Sequence, residues 1–272
     1  MRRHELDKHR RKLAEIRNIL GSMKTLAALE SHKLSHLVKA QNALSASVTE
    51  LANDFLCFHS DILPQVKPRL NVILIIGSER GFCGNFNDRV IEELNKRFSQ
   101  ETGQRAQLII VGSKLHSLVA KNHDQNIYIP GADTVDEIVS VLDALTQALA
   151  KYQQAACFQV LHHADPQQLV TATLLPPFEK PAKAACTYTT APLLTLSTVS
   201  FLFELTGHYL FNSLQRILFL SLMAENQQRV QHLEQATRHL DDSTEALGRK
   251  INALRQEEII EEIEVILLNT EN

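Results

Sequence analysis

The feature that most constrains the fold is a long heptad pattern near the carboxyl end of this 272-residue chain. Apolar or β-branched residues recur there at alternating steps of three and four, which places them along one seam of an α-helix. The seam consists of Val230, Leu233, Thr237, Leu240, Thr244, Leu247, Ile251 and Leu254. Polar residues such as Arg229, Glu234 and Asp241 lie between these positions, so we expect the remaining helix surface to face water or another protein. A narrow apolar seam needs a facing helix, and the pattern therefore predicts a coiled coil.

The predicted partner helix lies at the amino end of the chain. The same alternating steps select Leu6, Leu13, Ile16, Leu20, Met23, Ala27, Leu34, Leu37, Leu44, Val48, Leu51, Phe55 and Phe58. Three residues interrupt this seam: His9, Glu30 and Gln41. A helix of that length spans on the order of 80 Å, too long for an ordinary domain to enclose. Basic residues gather at its start and acidic residues gather near the end of the last helix, which favours antiparallel pairing.

The segment between the two helices alternates apolar, β-branched runs with amphipathic stretches. The predicted strands are 70–76, 107–111, 126–129, 157–162 and 169–175, and the predicted helices are 87–98, 114–120 and 134–151. Ser113 fits a helix cap, and Thr134 with Glu137 fits a capping box. Such alternation is typical of an α/β layered domain. The predicted fold class is α/β plus long helices: an antiparallel coiled coil of segments 1–60 and 197–268 carrying a Rossmann-like α/β domain at 69–190.

Charge and hydropathy narrow the possible functions. A net charge of −3 with mixed signs does not indicate a nucleic-acid partner. The most apolar stretch, 201–224, is interrupted by Glu204, His208 and Arg216, so it falls short of a membrane-spanning helix.

The cysteines and histidines do not indicate a metal site. Cys57, Cys83, Cys157 and Cys186 are scattered, without C-x-x-C spacing, which predicts buried or inert thiols in a reducing compartment. His162 and His163 are adjacent, and on a strand neighbouring side chains point to opposite faces. A metal shared by these two histidines is therefore not expected.

The most conspicuous local motif, S-E-R-G-F-C-G-N-F-N at 78–87, follows the first predicted strand. A glycine-containing turn between a strand and a helix presents backbone N–H groups that suit a phosphate. This spacing, however, fits neither G-x-G-x-x-G nor G-x-x-x-x-G-K-[ST], and Phe82 and Phe86 would crowd a pyrophosphate. Cys83 lacks an evident neighbouring base, which argues against a nucleophile. The motif therefore predicts neither a catalytic residue nor a cofactor site.

The decapeptide resembles the S-D-R-G-L-C-G-G-F-N segment of the gamma subunit of F-type ATP synthases. Glu79, Phe82 and Asn85 stand where that family has Asp, Leu and Gly. Residues 22–28 resemble its A-M-x-M-V-A-A segment, Ala224, Glu225 and Arg229 its S-E-x-x-A-R stretch, and Ala236 with Thr237 its A-T pair. Asn252, Arg255, Gln256, Glu262 and Ile266 fit the pattern Y-N-x-x-R-Q-x-x-I-T-x-E-L-x-E-I. The resemblance covers the whole chain, and its departures suggest a divergent branch.

The resemblance implies a central stalk that turns inside a hexamer of nucleotide-binding subunits and couples their ATP chemistry to a membrane ion-driven ring. The candidate partner contacts are Met23, Lys24, Arg80, Arg255 and Gln256. By analogy, the first two face an acidic helix-turn-helix of a catalytic subunit, and the last two meet a loop of such a subunit. The implied partners are the catalytic and non-catalytic subunits of the hexamer, an epsilon subunit and the membrane ring.

The same resemblance implies that the chain has no catalytic residue, cofactor or metal of its own and does not bind nucleic acid. It places the chain peripherally at the cytoplasmic face of a bacterial membrane.

Two other functions fit the pattern of strands and heptads. One is a nucleotide-binding enzyme or regulator whose helices dimerise, and purified protein would then bind or turn over a nucleotide. The other is a coiled-coil adaptor whose basic amino end contacts nucleic acid, with salt-dependent DNA binding as its sign.

Overall fold

A computed structural model of the chain describes residues 3–63, 71–100, 106–119, 126–152, 157–178, 190–191 and 193–270. These residues belong to two compact units. The helix-pair unit comprises Met1–Ala28 and Arg229–Asn272, and the sheet unit comprises Leu29–Gln228. Two helices contribute to both units: α1, Arg3–His59, and α5, Thr198–Thr270. The two long terminal helices predicted from the heptads are thereby confirmed.

The helix-pair unit is antiparallel. Arg3 on α1 pairs with Glu258 on α5 at 3.1 Å, and Arg17 pairs with Asp241 at 2.8 Å, so rising numbers on one helix meet falling numbers on the other. Leu233 is completely buried, and the other seven predicted seam residues of α5 are half-buried. The charge pattern and the alternating spacing therefore both predicted this pairing correctly.

Two residues of this unit differ from expectation. Ile16, predicted in the seam, is 45% exposed, because an α-helix of 3.6 residues per turn rotates some positions of a long 3–4 pattern away from its partner. Arg229, predicted to face outward, is buried. It lies four residues before Leu233, and residues so spaced share one face of a helix.

The sheet unit contains five strands, in the spatial order β3-β2-β1-β4-β5. The strands are β1, Asn71–Ile76; β2, Ala106–Val111; β3, Ile127–Ile129; β4, Cys157–His163; and β5, Leu169–Leu175. The first four are parallel, and β5 returns antiparallel beside β4. Helices α2, Phe86–Gln100, α3, Ser113–Val119, and α4, Ile138–Ala150, connect them. This α/β arrangement confirms the predicted fold class.

The central strand shows why its sequence is continuously apolar. Alternate residues of β1 point to opposite faces of the sheet. Leu74 packs into a cluster that includes residues of α1, α4 and α5, whereas Ile75 packs into a second cluster with α2 and α3. Both side chains are completely buried. Helices cover both faces, so no position of β1 favours a polar residue.

Within the sheet unit, the buried face of α1 differs from the predicted seam. Leu34 and Val38 enter the sheet core, while Leu37, Leu44 and Leu51 are exposed. Gln41, predicted to interrupt the seam, is buried, and its amide donates to the Asn212 carbonyl oxygen at 3.1 Å. In this unit α1 packs against both the sheet and α5, and the second packing surface rotates the buried face of α1 away from the 3–4 pattern.

Two local predictions need correction. The Thr134 side chain caps no helix; a 3₁₀ turn, Val135–Glu137, precedes α4, and the Glu137 carboxylate accepts the Asp133 N–H at 2.8 Å. Cys57 is disulfide-bonded, whereas Cys83 and Cys157 carry thiols. Cys186 lies outside the described residues. No C-x-x-C spacing marks Cys57 in the sequence, which is why the expectation of a thiol there was wrong.

No helix in the described ranges combines the length and the apolarity needed to cross a membrane.

Candidate functional site

A single carboxylate joins three loops at the carboxyl edge of the parallel strands. Glu79, three residues after β1, accepts hydrogen bonds from the Ser113 N–H at 2.9 Å and from the Gly131 N–H at 2.7 Å. The Ser113 hydroxyl also donates to Glu79 and lies 2.7 Å from the Tyr128 hydroxyl. Ser113 follows β2 and Gly131 follows β3, so Glu79 connects the ends of three adjacent strands.

The environment of Glu79 favours its charged form. Burial raises the pKa of the carboxyl, but hydrogen bonds from Ser113 and Gly131 and the charge of Arg80 together hold the pKa below its usual value. The charged carboxylate lies at the edge of the sheet where α/β domains commonly bind ligands. The N–H groups of Ser113 and Gly131 at this edge already have Glu79 as their acceptor.

Glycines allow these loops to approach. Gly112 has a φ of +106°, and a Cβ atom there would lie 2.7 Å from the Gly77 carbonyl oxygen. A Cβ atom at Gly131 would lie 3.0 Å from Oε2 of Glu79. Larger residues at either position would separate the strand ends that Glu79 joins.

The turn after Glu79 is exposed and ordered by its neighbours. Arg80 pairs with Asp133 at 3.0 Å while 69% of its side chain stays exposed. Phe82 has a φ of +64° and is half-exposed. A positive φ is uncommon for a bulky residue and indicates a backbone held by its surroundings. The turn thus presents a cation and an aromatic ring to solvent.

The far end of the turn is anchored by a buried polar network. Asn87 accepts the Ser78 N–H at 2.9 Å and donates to the Ser78 hydroxyl at 2.8 Å. The Cys83 thiol donates to the same hydroxyl at 3.3 Å. Cys83 therefore helps to anchor the end of the turn.

Two histidines, His162 and His163, form the end of β4 and lie close to this network. The His163 ring stacks on Phe86 with ring centroids 3.9 Å apart, and its Nε2 lies 3.0 Å from the Phe86 carbonyl oxygen. Burial lowers the pKa of His162 to about 4, and it also lowers the pKa of His163. Both rings are therefore neutral near pH 7. Among the described residues, no three His, Cys, Asp or Glu side chains are grouped to hold a metal ion.

Comparison with known proteins identifies the family. A sequence model of the ATP synthase family matches residues 3–269. The chain belongs to the ATP synthase gamma-chain family. The ATP synthase gamma chain of Clostridium perfringens is 22% identical and aligns over 97% of this chain and 95% of its own length. That of Saccharopolyspora erythraea is 27% identical, with 93% of each chain covered.

Solved structures share the gamma-chain fold. A chain of the Tetrahymena thermophila mitochondrial ATP synthase central stalk and c-ring structure gives a TM-score of 0.58 at 16% identity, covering 80% of this chain and 99% of that one. A chain of the Euglena gracilis mitochondrial ATP synthase structure, which contains OSCP, F1 and the c-ring, gives a TM-score of 0.58 at 13% identity. The match covers 97% of this chain and 92% of that one. At these identities the likeness concerns the fold.

Four of the predicted contact residues lie in the helix-pair unit, at two different positions along the helices. Met23 and Lys24 are half-buried on α1, whereas Arg255 and Gln256 are exposed on α5. The Arg17–Asp241 pair fixes the register, which separates these two sets by on the order of 30 Å along the helix axis. Arg80 lies in the sheet unit. Within the helix-pair unit, the structure therefore does not gather Met23 and Lys24 with Arg255 and Gln256 into one site.

Sequence reasoning missed two functional features of the loop. Glu79 was noted only as a replacement for Asp, although an acidic residue directly after a buried parallel strand is a usable signal for a group at the carboxyl edge. The contact of His163 with Phe86 joins residues far apart in sequence, and no local pattern indicates it.

Proposed function

We propose that this chain is the central rotor stalk of an F-type ATP synthase, coupling ATP synthesis or hydrolysis in surrounding subunits to ion translocation through a membrane ring. The helix-pair unit is the observation that carries the proposal. Its apolar seam is closed between α1 and α5, so its stiffness does not depend on a partner. Its outer surface is left available for other subunits.

The end of α5 supports a bearing role. Ile259, Ile260 and Ile263 are 44–55% exposed. Exposed apolar side chains at close spacing are typical of surfaces that another protein covers. A surrounding ring of subunits would cover them without specific polar contacts, which allows sliding.

The mechanism requires no catalytic residue in this chain. An asymmetric shaft makes different contacts with each surrounding subunit, and only such differential contact free energy can favour a nucleotide-tight state in one subunit and an open state in another. Rotation transfers that bias from subunit to subunit. The catalytic sites therefore belong to the hexamer, and Arg255 and Gln256 on the exposed face of α5 supply polar contacts to it.

Glu79 argues against the alternative of a nucleotide-binding regulator. Its carboxylate already accepts the N–H groups of Ser113 and Gly131 that a phosphate would use. Bringing a phosphate to the same position would place two anions together. Purified protein is accordingly expected to bind no ATP in equilibrium dialysis.

The further partners follow from the same proposal. The structural relatives come from assemblies described as a central stalk with a c-ring and as a rotor. By analogy, this chain contacts the hexamer, an epsilon subunit and the membrane ring. It would lie peripherally on the cytoplasmic face of the membrane. Met23 and Lys24 on α1 and Arg80 in the sheet unit are its other proposed contacts.

The test is to replace Arg255 and Gln256 with Ala in the assembled complex and measure the ratio of ions pumped to ATP hydrolysed. We expect this ratio to fall while the isolated chain keeps its parent melting temperature, because both side chains are exposed. Arg249→Ala is the matched control, since Arg249 is also exposed on α5 but already pairs with Glu245 at 2.6 Å. An unchanged ratio in the double variant would contradict the proposed contacts.

A further inference from the structure

We propose that Glu79 is a positioning residue, whose carboxylate clamps the ends of β1, β2 and β3 and so fixes the exposed turn that carries Arg80 and Phe82. The clamp itself follows from the geometry of the sheet unit. What the turn contacts rests on the proposed function, in which Arg80 meets another subunit.

The hydrogen bonds use both oxygens of the carboxylate. Oε2 accepts the N–H groups of Ser113 and Gly131, and Oε1 accepts the Ser113 hydroxyl. The two loops that donate these bonds follow different strands. Loss of the carboxylate would therefore leave partly buried N–H groups without their acceptor and loosen the loops that follow the three strands, although backbone hydrogen bonds such as that from the Gly77 N–H to the Val111 carbonyl oxygen remain.

The turn depends on this clamp because its conformation is unfavourable on its own. Phe82 has a left-handed backbone at a φ of +64°, and such strain persists only where neighbouring structure fixes it. Glu79 fixes the start of the turn, and the thiol of Cys83 fixes its end by donating to Ser78. The salt bridge from Arg80 to Asp133 joins the turn to the segment after β3, which Glu79 also holds.

Three substitutions of Glu79 separate the effect of its hydrogen-bonding shape from the effect of its charge. In Glu79→Gln the amide oxygen can take the place of Oε2 and accept both N–H groups, while the NH₂ group can donate to the Ser113 hydroxyl. In Glu79→Asp the side chain is one methylene shorter and cannot reach all three donors. Glu79→Ala removes every bond. We therefore expect the turn to be released most in Glu79→Ala, less in Glu79→Asp and least in Glu79→Gln.

Limited trypsin digestion of the full chain measures that release through the rate of cleavage after Arg80, followed by mass spectrometry. We expect Glu79→Ala to be cleaved there about tenfold faster or more than the parent, as lost charge-assisted hydrogen bonds predict, and Glu79→Gln within about threefold. Cleavage after Arg97 on α2 is the internal reference. Glu92→Ala is the matched control, because Glu92 is exposed on α2 and does not touch the clamp.

Equal acceleration after Arg80 and Arg97 would show general destabilisation and overturn the proposal. Parent-like cleavage in both Glu79→Ala and Glu79→Asp would also overturn it. The Gln and Asp variants keep the test decisive if the Ala variant does not fold.

A double-substitution cycle in the assembled complex then tests whether Glu79 acts through Arg80. We expect Glu79→Ala and Arg80→Ala each to lower the pumping ratio, and the double variant to lower it no further than Arg80→Ala alone. Additive losses would contradict action through Arg80. An unchanged ratio in Arg80→Ala would remove Arg80 from the proposed contacts, while the proteolysis result would still decide the clamp.

Discussion

The sheet unit and the helix-pair unit are stabilised in different ways. In the sheet unit, helices cover both faces of the sheet, and Leu74, Ile75, Ile109 and Ile110 are almost completely removed from water. Among the described residues of the helix-pair unit, Leu233 is the one completely buried apolar side chain, and most seam residues are half-buried. Stabilisation by apolar burial is roughly proportional to the area removed from water, so the sheet unit has the larger share per residue.

This difference suits a rotor stalk. A surface that must contact several subunits in turn needs accessible side chains, and a two-helix seam leaves most of each helix accessible. A sheet buried on both faces instead gives a rigid support for surface loops such as the Arg80–Phe82 turn. The helix-pair unit thus provides accessible surface, and the sheet unit provides rigidity.

The largest expected effect is a cavity in the sheet core. Leu74→Ala should lower the free energy of unfolding by roughly 2–5 kcal/mol, as large-to-small substitutions in packed cores do. Leu247→Ala in the seam is the matched comparison. Because Leu247 is half-buried, we expect a loss of about 1–2 kcal/mol. Urea unfolding of the full chain, followed by circular dichroism, measures both values. A seam loss as large as the core loss would contradict the comparison between the units.

Acid should weaken the sheet unit selectively. The folded pKa of His162, about 4, lies below its unfolded value of 6.5. The unfolded chain therefore binds the proton first as pH falls below 6.5, and stability is lost from there down to about pH 4. Between pH 7 and pH 5 the expected loss is about 2 kcal/mol from His162 alone, and His163 acts in the same direction.

Urea unfolding at the two pH values checks this expectation. His162→Gln should remove part of the pH dependence, whereas His239→Gln on the exposed surface of α5 should leave it unchanged. A parent chain equally stable at pH 7 and pH 5 would show that these rings are not neutral in the folded protein.

The sequence predicted periodic features well and long-range features poorly. The α5 seam and the five strands were found because burial repeats along one element at a fixed period. The exposed Leu44 and the buried Gln41 on α1 were missed, because that helix packs against both the sheet and α5 in the sheet unit. The Glu79 clamp and the disulfide of Cys57 depend on residues brought together only by the fold. The contact residues Met23, Lys24, Arg80, Arg255 and Gln256 stay predictions.

The smallest expected effect concerns the ion pair that fixes the register of the helix-pair unit. Arg17 and Asp241 are separated by 2.8 Å, yet about half of each side chain is exposed. Solvent screens such a pair, and exposed ion pairs measured by double-substitution cycles contribute about 0–1 kcal/mol. A cycle of Arg17→Ala and Asp241→Ala should therefore give a small coupling free energy that decreases further at high salt. A coupling well above that range would mean that charge pairs stabilise this unit as much as the seam does. Apolar burial in the seam would then no longer be the main stabilisation of the helix-pair unit, and the comparison with the buried core of the sheet unit would fail.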